Sequence, residues 1–221
     1  MSQIFLLHIA WPNAAGKTPR FLMLVGVLAL QGDFREHIHT LAECGVDAIA
    51  VKHLSEVEAV DALILPGGES TTIAKLARTF GLFDRISERI HAGLPTYGSC
   101  AGMILLANRI QGAADGQESF GGIDMTVRRN AFGRQVDSFE ADLIISGLTA
   151  PALRAIFIRA PWVESVGPGV EVLASVEFEG GLHPVAVRQG HLLATAFHPE
   201  ITGDNRVHRY FIENVCKAAV A

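Results

Sequence analysis

The sequence predicts an α/β fold: a single domain with a largely parallel central sheet flanked by helices, and added antiparallel strands in the second half. Three observations predict it. Between residues 22 and 108, short apolar runs alternate four times with amphipathic stretches over short connections, as parallel strands covered by helices do. After Arg109 that rhythm gives way to a series of short strand-like runs, several at hairpin spacing. The 221 residues, 49% of them hydrophobic, are enough for one sizeable core, and no repeat or low-complexity linker divides them.

Leu22–Leu30 is a continuous aliphatic run, as expected of a strand buried on both faces. Gln31-Gly32 breaks it, and Asp33 is placed to cap a helix through Cys44 with Phe34, Ile38 and Leu41 on one face. Asp47–Val51 is a second strand. Ala62–Leu65 is a third, stopped by Pro66-Gly67-Gly68. Ser70 or Thr71 caps a helix to Arg78, and another helix covers Asp84–Ala92. Pro95–Gly98 is the fourth strand and Ala101–Asn108 the helix after it. Strands follow at Ile123–Arg128, Gln135–Glu140, Ala155–Arg159, Val170–Glu177, Pro184–Gln189 and Leu192–Phe197, before a helix over Asn205–Ala219. Residues 1–22 read as an N-terminal extension of unknown role, and 23–221 as the domain.

The composition excludes several classes. A charge of −5 without a Lys/Arg block gives no nucleic-acid surface. The longest apolar runs, Phe21–Leu30 and Gly102–Ala107, are too short to cross a bilayer. The N-terminal apolar stretch has no basic residue before it, unlike a signal peptide. Gly16-Lys17-Thr18 resembles the end of a phosphate-binding loop, but Trp11 stands where the first glycine must be. Three scattered cysteines, Cys44, Cys100 and Cys216, form neither a CxxC pair nor a disulfide framework. That fits a reducing, cytoplasmic setting.

Cys100 stands out among the three. Gly98-Ser99-Cys100-Ala101-Gly102 joins an expected strand to an expected helix and has the form of a nucleophile elbow. Glycines two positions either side remove side chains that would clash in so sharp a reversal. The central side chain then stands clear at a helix N-terminus, where the dipole favours an anion, and the Ala101 N–H faces the place of a developing oxyanion. A buried, inert cysteine is the plain alternative, and it is the better reading for Cys44 and Cys216, which lie within helix patterns.

A reactive thiol needs a base, and the base an orienting group. Of the nine histidines, His37 and His39 cannot both face the core from one helix, His208 lies in the expected C-terminal helix, and most of those other than His198 read as solvated. His198 follows an apolar run at a strand's carboxyl end, in Phe197-His198-Pro199-Glu200. Residues two apart in extended backbone project to the same side, so Glu200 can approach His198. No spacing shows that His198 meets Cys100, 98 positions earlier.

Together these stretches resemble the class I (triad) glutamine amidotransferases, and within them the glutaminase subunits of pyridoxal 5′-phosphate synthases. The resemblance runs from about residue 23 to about 216. It rests on Gly26–Gly32, Leu65–Thr71 and the elbow, and more specifically on Arg129-Asn130-Ala131-Phe132-Gly133-Arg134-Gln135, Phe157-Ile158-Arg159-Ala160-Pro161 and Phe197–Glu200. It implies hydrolysis of L-glutamine to L-glutamate and ammonia. Cys100 would be the nucleophile, His198 the base and then acid, and Glu200 the orienting residue. Gly68 and Ala101 N–H would form the oxyanion hole. Gly68, Glu69, Ser70, Arg129, Ile158 and Arg159 would bind glutamine, an arginine fork suiting its α-carboxylate. The resemblance further implies no cofactor, no metal, and transfer of ammonia to a partner synthase subunit in a hetero-oligomeric complex. The Gln31-Gly32 loop would couple that partner to Gly68, while the Gly-rich loop Gln111–Ser119 would leave the chemistry untouched. Two other readings stay open: a γ-glutamyl hydrolase or peptidase of the same architecture, and a non-catalytic regulatory module.

Overall fold

A computed structural model describes residues 21–132 and 138–217. The expected extension 1–22 therefore lies almost wholly outside the described residues, as do Gln135–Asp137 of an expected strand and the last two residues of the expected C-terminal helix.

Seven strands form the central sheet, in the order β10-β11-β12-β4-β3-β1-β2. They are β1 (Phe21–Leu28), β2 (Val46–Val51), β3 (Ala62–Leu65), β4 (Thr96–Ser99), β10 (Glu171–Phe178), β11 (Gly181–Gln189) and β12 (Leu192–Thr195). The five from β12 to β2 run parallel, while β10, β11 and β12 pair antiparallel. The expected fold class is thus what the chain adopts. Pro184, which cannot donate to a ladder, sits in β11 where the register against β10 is irregular, around Ala174 and Ser175. Both faces of the parallel part are covered, and β3 and β4 are buried along their whole length.

The covering helices are α1 (Phe34–Glu43), α2 (Leu54–Ala59), α3 (Ser70–Thr79), α4 (Phe83–His91), α5 (Ala101–Leu106) and α6 (Arg206–Tyr210). A π-helical stretch, Phe211–Cys216, continues α6. α2 escapes the sequence reading because it is under two turns long; Glu56 secures its start by accepting from the His53 N–H at 2.9 Å. Two corrections concern helix starts and ends. α3 is capped by Glu69, whose Oε2 accepts from Thr72 N–H at 2.8 Å, and not by Ser70 or Thr71. α5 stops at Leu106, two residues short of expectation, because Ala107–Gln111 (β5) pairs with Ile123–Arg128 (β6).

β5 and β6 form a second sheet with β9 (Trp162–Val166), a strand the sequence reading missed. β7 (Ser138–Leu143) and β8 (Leu153–Ile158) form a two-stranded sheet. Phe132, Phe139, Phe157, Phe178 and Trp162 pack together beneath these strands, with Phe139 stacked on Phe157 at 4.5 Å between centroids. No described helix is long and apolar enough to cross a membrane.

The topology decides where the chemistry lies. β3, β4 and β12 are adjacent and parallel, so their carboxyl ends open at one edge, where ligands collect in such sheets. Leu65 is level with Gly98, and Ser99 with Thr195. The loops at Pro66, Cys100 and His198 therefore leave side by side.

Candidate active site

Cys100 has φ +49°, a left-handed conformation that a residue with a side chain adopts at a cost. The strain is held in place from several sides. Its N–H donates to Thr195 O at 2.8 Å, and its carbonyl accepts from Met103 N–H at 3.0 Å. The flanking glycines are required sterically. A Cβ on Gly98 would lie 2.4 Å from the Gly102 carbonyl carbon and oxygen, and one on Gly102 only 2.2 Å from Leu65 O. The thiol, 7% exposed, points along the Ile158 carbonyl, its Sγ 3.8 Å from that oxygen.

The chain from Thr195 turns over the same edge and brings His198 to Cys100. The backbone N–H of His198 donates to Ile156 O at 3.0 Å. Its Nδ1 lies 2.7 Å from Glu200 Oε1, and Cys100 is near enough to contribute to the shift of its pKa. Burial alone would lower the pKa of this imidazole. Interaction with Cys100 and the hydrogen bond to Glu200 outweigh it and push His198 up to about 10. The cationic ring is thus favoured beside the sulfur and the carboxylate. Pro199–Ile201 forms a single 3₁₀ turn that fixes Glu200 in the interior, 6% exposed. Gly67 makes room for the ring: a Cβ there would lie 2.4 Å from His198 Cε1.

The loop before α3 sits beside this group. Gly68 has φ +145°, and a Cβ on it would meet Gln31 Oε1 at 2.5 Å. That same Oε1 accepts from the Glu69 N–H at 2.8 Å. Glu69 also receives Arg129 Nη2 at 2.8 Å on Oε1. Its burial would raise its carboxyl pKa, but hydrogen bonds from Thr71 and Thr72 and the Arg129 charge hold it below the usual range. Ser70 Oγ accepts from Gln117 Nε2 at 3.0 Å, and Gln117 Oε1 accepts from Arg129 Nη1 at 2.6 Å. The loop expected to leave the site untouched therefore ties two candidate glutamine-binding residues together through Gln117. A free loop and a tethered loop look alike in sequence. Arg159 follows β8 in a left-handed conformation, φ +45°, directly after Ile158. Of the candidate residues, the structure joins His198 to Glu200 by a hydrogen bond, sets the Cys100 turn beside them, and gathers Glu69, Ser70 and Arg129 into a second cluster.

Other expectations are corrected here. Of the pair in α1, His37 faces the core and His39 solvent, and His208, among histidines mostly expected to be solvated, is fully buried. The deepest side of α1 runs through His37, Thr40 and Leu41, with Phe34 and Ile38 only partly buried beside it. His37 Nδ1 lies 2.8 Å from His208 Nε2, and His37 Nε2 lies 3.1 Å from Ser99 Oγ and 3.6 Å from Glu200 Oε2. Burial holds His37 well below its ordinary value and His208 down to about 3. Between that value and 6.5 the unfolded chain binds a proton at His208 that the folded chain refuses. Stability is thus expected to fall as pH drops below about 6.5, by up to about 1.4 kcal/mol per unit for each such histidine. Urea titrations between pH 7 and 5 check this, and His208→Phe is expected to flatten the slope.

Cys44 and Cys216 are free and buried, and burial raises both thiols, Cys216 to about 12. Neither is a nucleophile at neutral pH. Asp33, His198 and Glu200 hold potential ligand atoms within 4.8 Å of one another. Glu200 Oε1 is already engaged by His198 Nδ1, so this grouping reads as an oriented imidazole with a further carboxylate nearby. A surface hollow of about 370 Å³ lined by Asp61, Arg85, Arg89 and Leu94 opens at the amino ends of β3 and β4. It is remote from Cys100, and Arg85 and Arg89 are occupied there by Glu58 and the carbonyls of Val57 and Val60.

The SNO glutamine amidotransferase family matches residues 27–217. The chain is 59% identical over 198 residues to the pyridoxal 5′-phosphate synthase subunit PdxT of Acidothermus cellulolyticus, covering 88% of this chain and 95% of that one. It is 61% identical over 194 residues to the protein of the same description from Mycolicibacterium vanbaalenii, covering 86% and 97%. A crystal structure described as a glutamine amidotransferase superposes with TM-score 0.78 at 49% identity, over 89% of this chain and 99% of the other. The PurLQS structure from Thermotoga maritima shares the fold at 16% identity and TM-score 0.62, over 89% of this chain and 98% of that one.

Proposed function

Because the chain belongs to the SNO glutamine amidotransferase family, we propose that it hydrolyses L-glutamine to L-glutamate and ammonia and delivers the ammonia to a pyridoxal 5′-phosphate synthase partner. The observation that supports this reading is the position of His198, its Nδ1 2.7 Å from Glu200 and its turn beside that of Cys100 at the same sheet edge. In this reading Cys100 Sγ attacks the side-chain amide carbon while its proton resides on His198. The N–H groups of Gly68 and Ala101 receive the oxyanion. His198 then passes the proton to the departing nitrogen, and ammonia leaves a γ-glutamyl thioester. A water gives His198 a proton as its oxygen attacks the thioester; glutamate departs and the thiol is restored. Glu200 holds the imidazole in the one orientation both halves need.

Glutamine lies over α3. Arg129 offers its fork to the α-carboxylate, steadied from behind by Glu69 and Gln117, and Ser70, Ile158 and Arg159 complete the pocket. The setting is cytoplasmic, where three unpaired thiols persist, in a hetero-oligomer with the synthase.

The partner acts through Gln31. Gly32 packs so closely on Gly67 that a Cβ there would lie 1.8 Å from the Gly67 carbonyl oxygen, and Gln31 holds the Glu69 N–H. A partner pressing on residues 31–32 thereby sets the Gly68 peptide. Ammonia release from glutamine, with and without the synthase, tests the whole reading, and turnover is expected to rise with the partner. Gln31→Ala is expected to lose about 10²-fold of the stimulated rate, the scale of one oxyanion donor. Unchanged stimulation in that variant refutes the coupling. Partner-independent cleavage of γ-glutamyl peptides would instead identify a hydrolase, and no turnover in any case a silent module.

A further inference from the structure

Glu200 has only one of its two carboxylate oxygens hydrogen-bonded. Oε1 meets His198; Oε2 is buried and makes no hydrogen bond. A buried carboxylate so exposed to repulsion needs a donor dipole facing it. His37 Nε2 lies 3.6 Å from it, and 3.1 Å from Ser99 Oγ. Behind His37, at 2.8 Å from its Nδ1, stands His208 Nε2, and His208 Nδ1 is buried without a partner.

That orphan decides the protons. An orphaned buried N–H is rarer than an orphaned acceptor, so His208 Nδ1 is bare and Nε2 carries the hydrogen, which is donated to His37 Nδ1. His37 must then carry its own hydrogen on Nε2, pointing at Ser99 Oγ and Glu200 Oε2. The opposite arrangement would leave a buried N–H unpaired and set a nitrogen lone pair against a carboxylate. Burial keeps both rings neutral, so each has one hydrogen to place.

We infer that His37, with its tautomer set by His208, is a positioning residue that fixes the Glu200 carboxylate and through it the His198 ring. The inference rests on the reading of Cys100, His198 and Glu200 as a working triad. The groups facing Glu200 are His37 from α1, Tyr97 from β4, Asp33 and Cys100 from the adjoining loops, and His198 beside it, with His208 of α6 behind His37. Of these, His37 presents a neutral nitrogen to Oε2 from the protein interior, while the Tyr97 hydroxyl is engaged with Thr195 Oγ1.

The test compares His37→Asn with His37→Gln in the full chain. Both are polar and of similar size, but the Gln amide reaches the position of Nε2 and the Asn amide only that of Nδ1. The readout is the pH dependence of Cys100 alkylation by iodoacetamide, followed by mass spectrometry of its peptide, which needs no glutaminase activity. Without the Nε2 donor the carboxylate is held less firmly and supports the imidazolium less. The acid limb in His37→Asn is therefore expected to move up by about one pH unit, with His37→Gln close to the parent. Equal behaviour of the two variants, shifted or unshifted, overturns the inference. Independently of any variant, ¹⁵N spectra of histidine-labelled parent protein must show His37 protonated at Nε2; protonation at Nδ1 overturns it too. Absence of glutamine turnover in the parent with its partner would instead count against the triad reading.

Discussion

Replacing Cys100 with alanine is expected to lower glutamine turnover about 10⁵-fold or more while leaving the fold intact. The size follows from the chemistry: without the sulfur there is no thioester, and His198 and Glu200 alone have nothing to activate. The fold survives because the strained turn does not depend on the thiol. It is held by the Cys100 N–H on Thr195 O and by the glycines at 98 and 102. Steady-state ammonia release with the synthase present gives the rate, and thermal unfolding gives the stability. A variant retaining a tenth of parental turnover would show that the sulfur is not the nucleophile.

Gly102→Ala is expected to do the reverse, acting on the fold first and on activity as a consequence. The added Cβ would lie 2.2 Å from Leu65 O and 3.0 Å from Leu65 C and Cβ. Leu65 cannot withdraw, because it ends β3, is fully buried and is level with Gly98 of β4. α5 must therefore move off the sheet edge and take the Cys100 turn with it. A loss of about 3 kcal/mol is expected, at the upper end for a methyl forced into a packed interior. Urea denaturation measures it. A variant within about 0.5 kcal/mol of the parent would show that the close approach of α5 to β3 is not needed.

The two variants mark what each level of description contains. The elbow was readable in sequence because its constraint is local: five consecutive residues must reverse a strand into a helix, and only glycine fits at two of them. The same is true of His198 and Glu200 as a pair, two apart at a strand end. The buried status of His37 and His208 was not readable. α1 is amphipathic enough to be recognised, yet its deepest side is turned from Phe34 and Ile38 toward His37, and only the neighbours in α6 and at Glu200 make a histidine welcome there. β5 and β9 were lost for a related reason. Ala107–Gln111 continues the helix before it or leaves it according to whether β6 is there to pair, and Trp162–Val166 is likewise a strand because it pairs with β6.

From its sequence alone, then, this protein is committed to alternating buried strands and covering helices, and to a sharp glycine-flanked bend that displays Cys100. Those properties follow from periodicity and backbone sterics, which act over a few residues. The placing of the Cys100 and His198 turns side by side, the tethering of Arg129 by Gln117 and the burial of His37 behind Glu200 were decided only by the tertiary structure. Each depends on which strands lie side by side and in what register, above all β12 against β4 with Thr195 level with Ser99. Strand pairing across nearly a hundred residues is a property of the whole packed sheet and leaves no mark in any single stretch of chain.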